Sequence, residues 1–371
     1  MQILFDHQSF SLQKTGGITR YFYEVIRHLN LIPDFSTITQ LGLSTTMWPL
    51  EQASRPNGSV LHWGPRLVNS GVGTYLINEA LLTPYNLLRR PVDIYHNTLY
   101  RFMPGIRARR RVATHHDCTL ERFPELFPAP EFKLIVSARR KMFEQADLIF
   151  CVSGASSRDM QELYDVEASR IKVLCNGPSQ LDRSEAGRKE LDALVARPFL
   201  LYVGTRFLYK NFNALVFAFA ESGLHNEYDL LAIGGSPFTS AELKYMEQLG
   251  VRSKIISAPG ASAGLLAEAY AAASLFVYPS LYEGLGLPPL EAMMMGCPAL
   301  VAASPATREV CQDAALFFDP ASQSDFNAKL ATAVEDTPGR RAMIERGHAL
   351  VKLRQWPVIV EQMAAAYGSL F

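Results

Sequence analysis

Two glutamates with seven residues between them, Glu283 and Glu291, frame a segment that otherwise holds only apolar residues, glycine and proline (Gly284-Leu285-Gly286-Leu287-Pro288-Pro289-Leu290). An apolar run ending near Tyr278 precedes it, and the prolines sit where a helix would start, since proline is tolerated in a first turn. The backbone N–H groups of Gly284, Leu285, Gly286 and Leu287 would then converge with the positive end of that helix, a ready site for a phosphate. One carboxylate falls on the loop and the other in the early turns of the helix, so they can grip two parts of one extended ligand. Carboxylates suit paired sugar hydroxyls because each accepts several hydrogen bonds. An ordinary glycine turn with two solvated glutamates is the competing interpretation, and the agreement of strand, turn, prolines and helix argues against it.

A second group follows the apolar run 199–204, where Gly204 leads into Thr205-Arg206 and Lys210. Arg206 and Lys210 can reach one anion, the first through a planar fork and the second as a point charge, and offset charge building on a departing diphosphate. His115 and His116 are adjacent on a strand-like run, so their side chains face opposite ways and cannot readily share a metal ion. Gly16 and Gly17 precede a helical stretch and permit close approach of the backbone to a ligand phosphate; an ordinary strand–helix turn would look the same. Asn97 and Arg101 are further candidates, while Met293-Met294-Met295 fits core filling better than a cofactor contact. No D-x-D pattern occurs, so metal-assisted chemistry is not signalled and no metal cofactor is expected.

Two series of short apolar strands must carry these residues. The first comprises 2–5, 93–96, 111–116, 148–153 and 172–175; the second comprises 199–204, 229–233, 254–257, 274–278, 299–302 and 315–318. Helical patterns such as 20–29, 131–145, 211–220 and 261–272 intervene. Continuous apolar strands alternating with helices predict an α/β protein with parallel sheets covered on both faces. The seam falls after Asn176-Gly177-Pro178, where the polar stretch 179–197 has no strand pattern. Doubly wound domains bind ligands at the carboxyl ends of their strands.

Composition agrees with two domains: 371 residues, 48% hydrophobic and 19% charged, leave room for two full cores. Thirty-six Lys+Arg balance thirty-six Asp+Glu, which excludes a disordered chain and gives no pull toward nucleic acid. The five cysteines (Cys118, Cys151, Cys175, Cys297, Cys311) form no CxxC and fit small buried hydrophobes in a reducing compartment. The opening MQILFDHQSF lacks a basic region and meets Asp6, so it predicts a first strand, and no apolar run reaches the length of a spanning helix. A cytoplasmic protein is expected.

Charge is uneven locally. Up to Asn176 there are twenty Lys+Arg against sixteen Asp+Glu, and beyond it the balance inverts to sixteen against twenty. Arg107, Arg109, Arg110 and Arg111, then Arg139, Arg140 and Lys141, supply much of the excess. Leu81-Leu82 and Leu87-Leu88-Arg89-Arg90 combine apolar and basic character. A solvated rim and a face meeting an anionic membrane surface or a phosphorylated acceptor are both open.

The combination resembles the retaining glycosyltransferases of family 4, which have the GT-B fold. Glu283 and Glu291 look like that family's E-x7-E motif, and 199–204 with Thr205-Arg206 and Lys210-Asn211 is similar to its strand–loop near the nucleotide diphosphate. Thr114-His115-His116-Asp117 resembles its T-x-H-D signature, and Gly16-Gly17-Ile18-Thr19-Arg20-Tyr21 its first glycine-rich turn. Val152-Ser153 and Asn176-Gly177 look like its markers before the linker, and Gln355-Trp356 to Tyr367 its terminal helix. The resemblance covers essentially the whole chain.

It implies two Rossmann-like doubly wound domains facing a central cleft. Residues 1–177 would form the acceptor side, with a crossover helix at 355–371, and residues 178–354 the nucleotide-sugar side. The implied activity is transfer of a hexose from a nucleotide diphosphate sugar to a hydroxyl with retention. Glu291 would hold the ribose, the 284–287 amides with Arg206 and Lys210 the diphosphate, Glu283 the sugar hydroxyls, and His116 the donor sugar. Pro259-Gly260 would contact the base, and His115 has no assigned role because family members often carry an apolar residue there. Domain closure would exclude water from a hydrolysable donor. The Gly16-Gly17-Ile18-Thr19-Arg20-Tyr21 start resembles bacterial mannosyltransferases of O-antigen or capsule assembly. That implies GDP-mannose as donor, a glycan or lipid-linked acceptor, and peripheral contact with the inner face of the cytoplasmic membrane. UDP-glucose, UDP-galactose and UDP-N-acetylglucosamine stay open as donors. A nucleotide-sugar epimerase, a phosphorylase and a non-catalytic scaffold of the same fold are the alternatives.

Overall fold

Short apolar runs bounded by turn residues enter two all-parallel sheets. The computed structural model describes all residues except 15, 63–70, 128 and 336–337. It resolves the chain into two units, Met1–Asn176 with Trp356–Phe371, and Gly177–Gln355.

In the first unit β1 (Gln2–Phe5), β2 (Ser36–Gly42), β3 (Ser59–His62), β4 (Val92–His96), β5 (Ala108–His115), β6 (Leu148–Cys151) and β7 (Ile171–Val173) form one sheet in the order β3-β2-β1-β4-β5-β6-β7. Ile3 lies opposite Ile94 and Phe5 opposite His96. The order reverses between β1 and β4, which opens a crevice at their carboxyl ends. The Gly17–Leu29 helix covers one face with Tyr21, Phe22, Val25, Ile26 and Leu29. Against it packs the Trp356–Gly368 helix, which adds Trp356, Ile359, Val360, Met363 and Tyr367 to the same core. The buried Tyr367 hydroxyl and His96 Nδ1 are hydrogen-bonded at 2.6 Å.

In the second unit β8 (Phe199–Val203), β9 (Asp229–Ile233), β10 (Ile255–Ala258), β11 (Leu275–Tyr278), β12 (Ala299–Ala302) and β13 (Leu316–Phe318) run in the order β10-β9-β8-β11-β12-β13. Leu200 has Leu230 on one side and Leu275 on the other. This order reverses between β8 and β11. The polar stretch after the seam holds the Glu185–Leu194 helix, capped by the Ser184 hydroxyl.

β2 and β3 fall where no strand was expected. S-T-I-T-Q-L-G shows no apolar alternation because polar residues are buried within it. Thr37 is held by Asn30, and the Gln40 amide donates to Asn86 Oδ1 at 2.6 Å.

The basic residues also differ from a continuous charged face. Arg139 is buried, donating to both Glu121 oxygens (2.7 and 2.9 Å) and to the Asp117 carbonyl. Arg109, Arg110 and Arg111 open β5, at the edge of the sheet opposite the carboxyl ends, and Arg109 and Arg110 pair with Asp93 and Asp147.

Candidate active site

β8 and β11, the two strands at which the second sheet reverses, carry the residues singled out by type and spacing. After Tyr278 the chain loops through Glu283 and reaches Gly286 at φ +91°, a left-handed conformation that glycine adopts without the Cβ penalty. The Leu287–Met294 helix starts there with two prolines in its first turn. Among the described residues, the N–H groups of Leu285, Gly286 and Leu287 donate to no partner. These amides gather at the helix's positive end, an arrangement chemically suited to an anion. Gly284 lies in the same buried turn.

Glu283 and Lys210 meet directly. Lys210 closes a short turn after β8, and its Nζ donates to Glu283 Oε1 at 2.5 Å, with both side chains mostly shielded. The ammonium also lies 5.1 Å from the Tyr209 ring centroid and 5.9 Å from that of Tyr278. Burial, and then the Glu283 charge, push the Tyr278 phenol far above its usual range, so it stays a neutral hydrogen-bonding partner of that carboxylate. The Leu281 N–H donates to the Tyr209 carbonyl at 2.8 Å and ties the two loops together. Glu291 is buried one turn into the helix, where Tyr270 donates to Oε2 at 3.2 Å. Burial and then Glu291 raise the Tyr270 phenol in the same way. Both tyrosines escaped the sequence analysis, since each is an ordinary aromatic in an apolar run.

Arg206 is engaged within the second unit's own loops. Nε donates to Glu242 Oε1 at 2.6 Å, and the other nitrogens to the carbonyls of Gly234, Ser236 and Pro237. It also lies 4.7 Å from the Phe238 ring centroid. Burial pushes the Glu242 carboxyl up, but the Arg206 hydrogen bond and those of Thr239 outweigh it and hold the group below its usual range. Gly204 ends β8 by donating to the Ile233 carbonyl at 2.9 Å. Pro259 and Gly260 form an exposed turn after β10.

In the first unit His116 is the residue just beyond β5. Its ring packs edge-on against Tyr21 at 5.1 Å, and among the described residues Nε2 has no hydrogen-bond partner. Burial lowers its pKa to about 4, so the ring is neutral. His115, on the opposite side of the strand, is a core residue. It is buried edge-on to Phe143, with Nε2 3.3 Å from Cys118 Sγ, and burial lowers its pKa to about 3. Gly16 caps the Gly17–Leu29 helix, and the Gln13 amide fills the space where a Cβ would stand, 2.1 Å from that position; Gly17 faces open space. Asn97 is buried, with Oδ1 unpartnered, whereas Arg101 is held by Tyr75 and Glu79. Met293 is core, as expected.

The carboxyl end of β1 holds residues the sequence analysis passed over. Asp6 is buried and accepts from Gln8, Thr98 and Tyr95, the last at 2.5 Å. His7 is buried beside it, with Nε2 unpartnered and its pKa lowered to about 4 by burial. Their signal was an acid and a histidine directly after the first apolar run. Among the described residues no group of three or more His, Cys, Asp or Glu side chains is placed to hold a metal ion.

The fold is thus two Rossmann-like α/β units, the second carrying loop amides unpartnered among the described residues beside the Lys210–Glu283 ion pair. Residues 15–178 match the family model described as Glycosyltransferase Family 4, and residues 184–349 the one described as Glycosyl transferases group 1. Between them the two models span most of the chain, which is a glycosyltransferase enzyme and resembles the family 4 glycosyltransferases. It is 28% identical over 385 aligned residues to the O-antigen chain mannosyltransferase B of Escherichia coli, with 100% of both chains covered. To the O-antigen chain mannosyltransferase RfbU of Salmonella typhimurium it is 25% identical over 62% of each chain. Among solved structures it is similar to WaaG, a glycosyltransferase involved in lipopolysaccharide biosynthesis (TM-score 0.73, 20% identity, 98% and 99% of the two chains). It is also similar to sucrose-phosphate synthase from Thermosynechococcus elongatus (TM-score 0.75, 17% identity, 100% and 99%). A third likeness is to Anabaena HepE solved with UDP-glucose (TM-score 0.73, 19% identity, 100% of both). The fold is GT-B.

Proposed function

We propose that this enzyme transfers mannose from GDP-mannose, with retention, to a hydroxyl of a glycan or lipid-linked acceptor in bacterial surface-polysaccharide assembly at the inner face of the cytoplasmic membrane. One observation carries the chemistry: the Lys210–Glu283 pair beside the uncommitted amides of Leu285, Gly286 and Leu287. A sugar diphosphate matches that set, with phosphate oxygens on the amides and Lys210 and sugar hydroxyls on Glu283. Glu291 takes the ribose, with Tyr270 fixing its carboxylate. His116 meets the donor sugar as a neutral ring, Gly16 and Gly17 approach the phosphates, and Gly204, Pro259 and Gly260 border the nucleotide. Arg206 acts at one remove, by holding the loop at Gly234 to Pro237. The choice of mannose is supported by the O-antigen mannosyltransferases of Escherichia coli and Salmonella typhimurium among the relatives.

In the proposed step the bond from C1 of the sugar to the phosphate oxygen breaks, and the acceptor oxygen bonds to C1 on the same face. The acceptor proton passes to the departing diphosphate, whose charge Lys210 and the amides offset. No metal is assigned a part. The test is a metal-free panel of GDP-, UDP- and dTDP-sugars followed by slow hydrolysis and thermal shift, with Glu283→Ala as control. GDP-mannose alone should stabilise the protein and be hydrolysed by the wild type only. Hydrolysis of a UDP-sugar instead would replace the donor. Donor consumption without acceptor or hydrolysis would indicate an epimerase, a requirement for inorganic phosphate a phosphorylase, and binding to none a scaffold.

A further inference from the structure

The Gly71–Leu88 helix of the first unit is built inside out. Its inward positions, every fourth residue, are Thr74, Asn78, Leu82 and Asn86, and all four are buried. Asn78 donates to Ser11 Oγ at 2.8 Å and to the Leu41 carbonyl at 3.1 Å, and it accepts from the Leu43 N–H at 2.7 Å. Asn86 accepts from Gln40. A helix on a soluble protein normally turns its apolar stripe inward. Here Val72, Leu76, Ile77, Leu81, Leu87 and Leu88 face outward, 44% to 87% exposed, and the outward positions between them are Ala80, Pro84 and Tyr85. Such a contiguous apolar surface marks an interaction site.

We infer that this helix lies in the interfacial layer of a bilayer containing anionic phospholipid, with its outward face among the acyl chains and the arginines at its carboxyl end on lipid phosphates. Three observations select that occupant. First, the outward face offers almost no hydrogen-bonding group, whereas a protein interface carries about one hydrogen bond per 100–200 Å². Second, the helix holds a single charged residue, Glu79, and Arg101 neutralises it. Third, the cations cluster where the helix ends. Arg90, two residues after Leu88, is exposed, as is Arg107, which donates to the Arg89 carbonyl; Arg89 itself is half-buried with Nη1 shielded, so Arg90 and Arg107 are the cations presented outward. An apolar helix of about 27 Å lying flat, anchored by arginines at one end, is the pattern of a surface-bound segment. No helix among the described residues is long and apolar enough to cross a membrane, so this contact is peripheral in kind.

The inference rests on the proposed lipid-linked acceptor only for its choice of bilayer, and its test contains neither donor nor acceptor. The full chain is floated with vesicles of phosphatidylcholine and of phosphatidylcholine mixed with phosphatidylglycerol. The wild type should rise with the mixed vesicles. Leu76→Gln, Leu81→Gln and Leu88→Gln combined should weaken binding about 100-fold, and Arg90→Gln with Arg107→Gln about tenfold, chiefly by removing the preference for phosphatidylglycerol. Because the leucines are exposed, the triple variant should keep the wild-type thermal midpoint, which separates lost docking from lost fold. A wild type that stays unbound, or a triple variant that binds like wild type, would overturn the inference. So would a wild-type dimer in sedimentation velocity that the triple variant dissolves, which would make a second copy the occupant.

Discussion

The ion pair between Lys210 and Glu283 is mostly buried, and its Nζ–Oε1 distance is 2.5 Å. Two opposite charges that close are held in register by each other, so removing one leaves the other poorly solvated and misplaced. Glu283→Gln preserves shape and its Tyr278 contact but leaves the Lys210 ammonium without a counter-charge, so it should lower transfer about 100- to 1000-fold and also lower the urea midpoint. Lys210→Met should act on the same step, and the double variant should cost less than the two single losses together, as measured by kcat in a double-mutant cycle. Additive losses would mean that the pair does not work as a unit. Arg206 behaves differently. Arg206→Ala strips Glu242 of its partner and three carbonyls of their donor, which should cost roughly 2–4 kcal/mol in urea denaturation. A variant with wild-type stability and weakened donor binding would instead return Arg206 to the diphosphate. At this scale the sequence was legible wherever chemistry is carried by close spacing, as with Glu283, the glycines and Glu291. It was illegible where the partner lies far away, since Glu242 is 36 residues beyond Arg206.

Elements bring such residues together only if their backbones can approach. The Glu185–Leu194 and Ala263–Ala272 helices cross at Gly187 and Gly264, where a Cβ on Gly187 would stand 2.3 Å from the Gly264 carbonyl carbon. The obstacle is backbone, so rotamer changes cannot relieve it. Gly187→Ala should therefore destabilise the second unit by about 3 kcal/mol, more than Ala for Gly ever returns through helix propensity, read from far-UV circular dichroism in urea. An unchanged midpoint would mean the helices separate without cost. Nothing in E-A-G-R-K-E announces this crossing, because the need for glycine arises from a neighbour some eighty residues away. The same logic separates the strands that were anticipated from those that were not. β1, β9 and β12 are runs of apolar residues, and the pattern located their bounds. β2 hides its pairing in Thr37 and Gln40, and the Gly71–Leu88 helix in Asn78 and Asn86, so hydropathy points the wrong way at both. Polar residues that dock elements through hydrogen bonds defeat a method that equates burial with apolarity.

For the molecule as a whole, the histidines whose burial makes them resist protonation are gathered in the first unit. His7, His96, His115 and His116 all belong to the first unit. Burial lowers His7 and His116 to about 4 and His96 and His115 to about 3, against an ordinary 6.5. A histidine depressed in the folded state takes up its proton only after the unfolded chain has done so. Its contribution is therefore complete above about pH 6.5 and drains away as pH falls toward 4 and 3. Each adds a slope of at most about 1.4 kcal/mol per pH unit, and His115 and His116, as neighbours, titrate together and sum to less than two independent groups. The direction is unambiguous: the unfolded state binds more protons, so stability of this unit must decline between pH 7 and pH 5. Trp48 and Trp356 lie in the first unit and the sequence of the second, 177–355, contains no tryptophan, so tryptophan fluorescence in urea does not report on the second unit. The fluorescence midpoint should fall across that range, and His96→Gln should flatten the fall while lowering the midpoint at pH 7, since Tyr367 and Thr114 lose their imidazole partner. A flat wild-type profile would mean that the histidines are open to protons when folded. The imidazole proposed to meet the donor sugar would then be charged in mildly acidic solution and not the neutral ring its packing against Tyr21 implies.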